Sequence, residues 1–461
     1  MKIAVINGSP KGQVSVTMQY ARFLQLKFPR ARFEYFDVAQ KINKLEGDKK
    51  EFEKTIRRIK SANAVLWAFP LYFFLVSSQY KRFIELIFER RALAAFRGKP
   101  AAVLTTSINF FDSTAQIYMN GICDDLGMKY FGAYSAEMND MHKSAERKRL
   151  AAFGELFLAA VRKNEPAHRN YPAVVAKRTA FQPGRPKPIK AGGKKVLIIA
   201  DDIEKSANLK KMVKYLRESF SPAADLVQLK DIDIKGGCLG CMQCGMDNVC
   251  VYEGKDGFVD FFNNQVKAAD ILFFAGAVRD RYLSSSWKCF FDRSFFKGHT
   301  PALKGRQIGF VISGPLGQIT NLREMMKAYI EMQSCNLIGF VSDDAGTSGQ
   351  LSAALQNAAG RAVDFASRGY IQPPTFYSVG GGKIFRDAVY SRLRPVFQAD
   401  HRYYKEHGFY NFPQKNYKWR LINNTLILLL KIPRVRREFL KRMKVEMTRH
   451  FDRYIKKPKQ V

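Results

Sequence analysis

Lys2-Ile3-Ala4-Val5-Ile6-Asn7-Gly8-Ser9-Pro10-Lys11-Gly12 opens the chain. Residues 2–7 are a short apolar run of the kind found in a buried parallel strand. A loop of small residues carries on to Thr17, and from about Met18 to Phe28 the apolar residues recur at helical spacing. A strand–loop–helix unit aims backbone N–H groups, hydroxyls and a helix dipole at one anion. Ser9, Lys11, Ser15 and Thr17 are the side chains within reach of a phosphate there. Many α/β chains open with a Gly-Ser turn that binds nothing, so the loop gains weight only from the strands and loops downstream of it.

Downstream, the chain alternates strictly. Residues 32–38 read as a strand, 49–60 as a charged helix, and 64–69 as a fully apolar strand ending at Pro70-Leu71-Tyr72-Phe73. A helix then begins near Gln79, residues 101–106 form a fourth strand closed by Thr106-Ser107-Ile108-Asn109, and 132–135 a fifth. The pattern predicts a doubly wound parallel sheet, whose ligand sits beyond the carboxyl ends of the strands. The loops at Gly8, Pro70 and Thr106 all fall on that edge.

Residues 164–194 break the alternation with five prolines, several glycines and cations, the composition of a semi-extended, solvated linker. The pattern then restarts. Lys195–Ala200 echoes Lys2–Ile6, residues 268–275 echo 61–68, and Tyr282–Asp292 echoes Phe74–Glu85. Two tandem α/β domains are expected, 1–163 and 195–380, with a basic, mainly helical extension over 381–461. The halves differ where chemistry would occur. Asp201-Asp202-Ile203-Glu204 stands where the first half has Gly8-Ser9-Pro10-Lys11, and carboxylates there repel a phosphate.

The second half instead inserts Cys238, Cys241, Cys244 and Cys250, at C-x2-C-x2-C-x5-C spacing. Thiolates so spaced can turn onto one soft metal centre. A compact three-thiol run with a fourth nearby favours a [4Fe–4S] cluster over zinc, which usually draws on two separated pairs; an empty loop is the third alternative. Disulfides are disfavoured, since the other three of seven cysteines stand alone and no secretory signal opens the chain.

The 461 residues carry a formal net charge of +35, which implies an anionic partner such as lipid, nucleic acid or an acidic redox protein. From Lys415 onward there are 15 basic and 3 acidic residues, around an apolar helix at Trp419–Pro433. That segment reads either as docking into an anionic membrane interface or as a helix packed on the second domain with a solvated tail. Nucleic acid is the weaker reading, because no recognised binding motif accompanies the charge. No apolar run is long enough to span a bilayer, so the expected location is the cytoplasm, with peripheral association on the inner membrane face. The six histidines are scattered, and no catalytic triad or carboxylate pair stands out.

Taken together, Gly8–Pro10 with Thr17, Pro70-x-Tyr72 followed by Lys81, and the cysteine run resemble the NAD(P)H-dependent FMN reductases, and more narrowly their iron–sulfur flavoprotein branch. The resemblance covers about 1–160 and 194–345, each as a flavodoxin-like unit. It implies that Ser9, Lys11, Ser15 and Thr17 hold the FMN phosphate, and that Pro70, Leu71, Tyr72, Phe73, Thr106 and Ser107 border the flavin ring. It further implies that the cysteines ligate a [4Fe–4S] cluster, and that a redox partner or small-molecule acceptor, with NAD(P)H as donor, completes the reaction. In that family both sites belong to one domain and two chains pair; here they fall in separate halves, so the expectation is a fused pair, with a further homodimer left open. The competing expectations are a cofactor-poor membrane- or partner-binding module, and a plain FMN-dependent quinone reductase with a structural zinc loop.

Overall fold

The computed structural model describes residues 1–175, 180–344 and 346–449. Strands β1 (Lys2–Asn7), β2 (Arg32–Phe36), β3 (Ala64–Pro70), β4 (Pro100–Ser107) and β5 (Lys129–Glu137) form a parallel sheet in the order β2-β1-β3-β4-β5. β1 and β3 are buried almost throughout, because helices cover both faces. Those helices are α1 (Val16–Lys27), α2 (Ile42–Gly47), α3 (Lys49–Lys60), α4 (Ser78–Glu89), α5 (Asp112–Asp125) and α6 (Ser144–Lys163). The order is that of the flavodoxin-like fold.

After a small parallel pair, β6 (Ile189–Lys190) with β8 (Phe220–Ser221), a second sheet contains β7 (Val196–Ala200), β9 (Asp225–Gln228), β10 (Ile271–Ala277), β11 (Gln307–Ser313) and β12 (Asn336–Ser342). Its order is β12-β11-β10-β7-β9, again all parallel. Taken from the β9 edge, this is the arrangement of the first sheet. Its helices are α7 (Ala207–Glu218), the short turns α8 (Cys244–Asp247) and α9 (Phe258–Phe261), α10 (Ser285–Arg293), α11 (Thr320–Met332) and α12 (Ser348–Arg368).

The outer face of each sheet has its own core, with Val5, Leu66 and Leu104 in the first and Ile198, Phe273 and Val311 in the second. The inner faces share one core, in which Trp67, Tyr80 and Phe83 join Trp287, Phe290 and Phe291. The halves therefore fold against each other over a common apolar layer, and Met1–Tyr403 is one compact unit. That unit takes in α13 (Phe376–Tyr390) and runs into α14 (Gln398–Glu406), so the division of the chain falls at 403/404.

The expected linker is largely exposed where it is described, but it is tied to both halves at several points. Asn170 and Tyr171 donate backbone N–H groups to Asp124, Val175 exchanges two hydrogen bonds with the Gln318 amide, and Phe181 is buried. Proline-rich backbone stays extended, and here side chains of the two halves satisfy its polar groups. The second compact unit, 404–461, contains α15 (Tyr417–Leu429) and α16 (Pro433–Arg449). Asn416 caps α15 by accepting from the Trp419 N–H, and Pro433 sits at the start of α16, where a missing N–H costs nothing.

Candidate functional site

The loop after β1 is held tightly from beneath. A Cβ on Gly8 would lie 2.6 Å from the Tyr80 ring, so only glycine lets the chain cross there. Ser9 donates its backbone N–H to Asn7 Oδ1 at 3.0 Å, and Lys11 donates its own to Ser9 Oγ at 3.2 Å. Ser15 caps α1 by accepting from Met18 N–H, which leaves its hydroxyl proton available to an anion at the helix N-terminus.

The Pro70 loop lies beside it. Leu71 donates to the Thr106 carbonyl at 3.0 Å, tying this loop to the end of β4. Phe73 and Phe74 both hold left-handed backbone, at φ 42 and 67. Such strain persists only where surroundings impose it, and here the Phe73 ring packs on Tyr329 at 5.6 Å and Phe291 at 6.4 Å, both from the second half.

The cysteine loop closes over these two loops. Gln79 donates its amide to the Cys238 carbonyl at 3.1 Å. A Cβ on Gly240, itself at φ +63, would collide with the Tyr72 hydroxyl and stand 3.2 Å from Lys11 Cε. The result is one cavity of about 390 Å³, within the usual range for small-molecule and cofactor sites, ~300–1,000 Å³. Ser9, Lys11, Ser15, Pro70, Leu71, Tyr72, Phe73, Thr106 and Ser107 line it, and so do Cys238, Cys241, Cys244 and Cys250. Thr17 does not; its hydroxyl is 2.6 Å from that of Thr106, bracing the wall from behind.

These residues fit a flavin mononucleotide in donor chemistry. Buried hydroxyls and a lysine gather at a helix N-terminus, and an apolar slot adjoins them. The fit to a metal is less complete. Gly240 donates its N–H to Cys238 Sγ at 3.4 Å, a contact that favours a thiolate. Yet among the described residues no group of three or more His, Cys, Asp or Glu side chains is spaced to hold a metal ion. Burial, then Asp292 and the neighbouring thiols, pushes Cys238 well up; burial, then Cys241 and Cys250, pushes Cys244 up to about 12. As free thiols both keep their protons, which a bound metal centre has to displace.

Sequence reading missed the far wall. Met332, Phe385, Leu393, Val396 and Phe397 roof the cavity with apolar surface, and residues 381–403 carry no motif that would have announced it. His299, dismissed among scattered histidines, lines the same wall, with its Nδ1 3.3 Å from Asp400.

Behind the cavity, α4 and α10 exchange caps. Asp292 accepts from Ser78 N–H at 2.7 Å, and Glu85 accepts from Ser285 N–H at 2.7 Å. Lys81 pairs with Glu85 and with Asp280; Lys288 pairs with Asp292 and donates to the Tyr72 carbonyl at 2.9 Å. Both lysines are fully buried. Burial pushes Lys288 below its ordinary value despite Asp292, whereas Asp280 and Glu85 outweigh burial at Lys81 and hold it above. The signal was present in the sequence, because Ser78, Lys81 and Glu85 align with Ser285, Lys288 and Asp292 in the repeat.

The corresponding edge of the second sheet is filled by its own chain. Ser206 caps α7 as Ser15 caps α1, and its hydroxyl meets that of Ser313 at the end of β11. Asp343 then takes the donors, accepting from Ser313 Oγ at 2.9 Å, Gly314 N–H at 2.7 Å and Asn208 Nδ2 at 2.8 Å.

Residues 1–141 match the family described as NADPH-dependent FMN reductase. No curated protein matches the chain. Among solved structures it is similar to FerB, a flavoenzyme NAD(P)H:(acceptor) oxidoreductase from Paracoccus denitrificans, at 21% identity over 35% of this chain and 98% of that one, with TM-score 0.30. It is also similar to an FMN-dependent NADH-azoreductase from Bacillus anthracis in complex with FMN, at 16% identity, 36% and 99% coverage and TM-score 0.27. A third is the Trp repressor binding protein from Bacillus subtilis, at 21% identity, 32% and 95% coverage and TM-score 0.26.

Proposed function

We propose that the chain is an FMN-containing oxidoreductase that takes electrons from a reduced nicotinamide and passes them to an acceptor admitted to the same cavity. The observation that carries this is the gathering of the β1, β3 and β4 loops on one cavity, within the span that matches the FMN reductases. We read the halves as a tandem pair, 1–163 contributing the nucleotide loops and 195–380 the thiols. When bound, FMN supplies reversible transfer of one or two electrons. Ser9, Lys11 and Ser15 bind its phosphate at the start of α1. Leu71, Tyr72, Thr106 and Ser107 border the ring site, and the wall from Phe385 to Phe397 keeps bulk water out. Burial, then Cys238 and Asp292, holds Tyr72 far above its ordinary value, so its hydroxyl stays protonated as a donor.

A second reading adds a [4Fe–4S] cluster, favoured by four thiols on the same cavity wall and by the N–H contact to Cys238. Cys238, Cys241, Cys244 and Cys250 would hold it, and it would supply one-electron transfer.

Anaerobic purification with flavin, iron and acid-labile sulfide quantitation tests both. FMN at one per chain is expected, with NADPH oxidation in the presence of an acceptor. Protein without flavin absorbance sinks the oxidoreductase. Flavin without iron and sulfide removes the cluster alone.

A further inference from the structure

The C-terminal unit is not used by any of this chemistry. Its two helices nonetheless present an unusual surface. No residue of α15 is buried, and Trp419, Leu421, Ile427 and Leu428 are each more than half exposed. In α16, Val435, Phe439 and Met443 recur every four residues along one stripe, with Leu440 beside them. Arg434, Arg437 and Lys441 recur at helical spacing along another stripe.

We propose that α15 and α16 dock this protein on an anionic lipid bilayer, lying in the plane of the interface. Charge alone does not choose the partner, since the 15 basic residues against 3 acidic ones from Lys415 onward would suit any polyanion. The apolar stripe chooses. A phosphate backbone offers nothing to Phe439, Leu440 or Met443, whereas a bilayer interface takes apolar side chains and neutralises cations at one depth. The aromatic pair Tyr417 and Trp419 suits headgroup level. Spanning is ruled out for α15 by length, since its 13 residues at ~1.5 Å each reach ~20 Å against a hydrocarbon core of ~30 Å. Among the described residues no helix is long and apolar enough to cross a membrane. The proposal is independent of the flavin reading, and either can fail alone.

The test mixes the full chain with vesicles of phosphatidylcholine alone, or of phosphatidylcholine with phosphatidylglycerol, and reads sedimentation and tryptophan fluorescence. Trp67 and Trp287 are fully buried, so a blue shift reports Trp419, and Trp419→Phe should abolish it. Binding and a blue shift are expected with phosphatidylglycerol and absent without it. The variant F439S/L440S should bind about tenfold more weakly, and R434Q/R437Q/K441Q about a hundredfold, at roughly fivefold per charge. Both should leave flavin content unchanged. No sedimentation with anionic vesicles, an F439S/L440S affinity equal to the parent's, or tighter binding to duplex DNA than to vesicles would each overturn the proposal.

Discussion

The loops at 8–17 and 201–208 occupy corresponding places in two sheets of identical strand order, yet they face opposite chemistry. In the first, hydroxyls and Lys11 line an open cavity. In the second, the Asp343 carboxylate already satisfies Ser313, Asn208 and the Gly314 N–H, an anion internal to the chain. Asp201 lies buried alongside, raised by that burial above its ordinary value. A fold whose strand ends present donors can fill them from solution or from the chain; the second half fills them from the chain, and the first leaves them on an open cavity.

The sharpest way to break the comparison is at the exchanged caps. Glu85→Gln should cost ~3–5 kcal/mol in denaturant unfolding at neutral pH, because it leaves Lys81 buried with one partner fewer. Burial tends to raise Glu85, but Lys81, Ser285 and Arg82 outweigh it and its value is lowered from 4.5. Its contribution is therefore complete above that ordinary value and lost as pH falls through the lowered one, so the gap between parent and variant should close in acid. Asp292 has the opposite sign. Burial raises it above 3.8 despite Lys288, so its ionised form costs stability at neutral pH. Asp292→Asn should cost less than Glu85→Gln there. Equal losses would mean that the two caps are equivalent after all.

Next in size is Gly240→Ala, which puts a methyl into the Tyr72 hydroxyl from left-handed backbone. A loss of ~1–3 kcal/mol and weaker FMN retention are expected, read by thermal unfolding and flavin absorbance. Ala at Gly132 provides the comparison, since it has open space although its φ is also positive. Asp343→Ala should cost ~1–3 kcal/mol by orphaning three donors, while FMN stays at one per chain. Two per chain would mean that a single carboxylate was all that closed the second site. The smallest effect belongs to Glu204→Gln, whose pair with Lys210 is more than half exposed; a change below ~0.5 kcal/mol is expected.

Much of this was legible from local pattern. Apolar runs of strand length alternating with helical spacing gave both sheets, and the small residues after β1 marked a loop that lines the cavity, with Thr17 behind its wall. The cysteine spacing put four thiols on one loop, but not where that loop would fold. The linker's tethers were not legible, because proline and glycine report backbone stiffness and say nothing of which side chains will meet it. The cavity's roof was illegible because Phe385, Leu393 and Phe397 are ordinary apolar residues, whose position depends on what they pack against.

The residues alone determined the strand–helix alternation of each half and the difference in composition between the loops after β1 and β7. These come from covalent spacing and local periodicity, which any chain carries with it. Only the tertiary structure decided that the thiol loop would close on the loops after β1 and β3, that each half would cap the other's helix, and that Asp343 would take the donors at the edge of the second sheet. Those are contacts across about a hundred residues or more of chain in the first two cases, and between separate loops in the third, fixed by how two apolar faces come together.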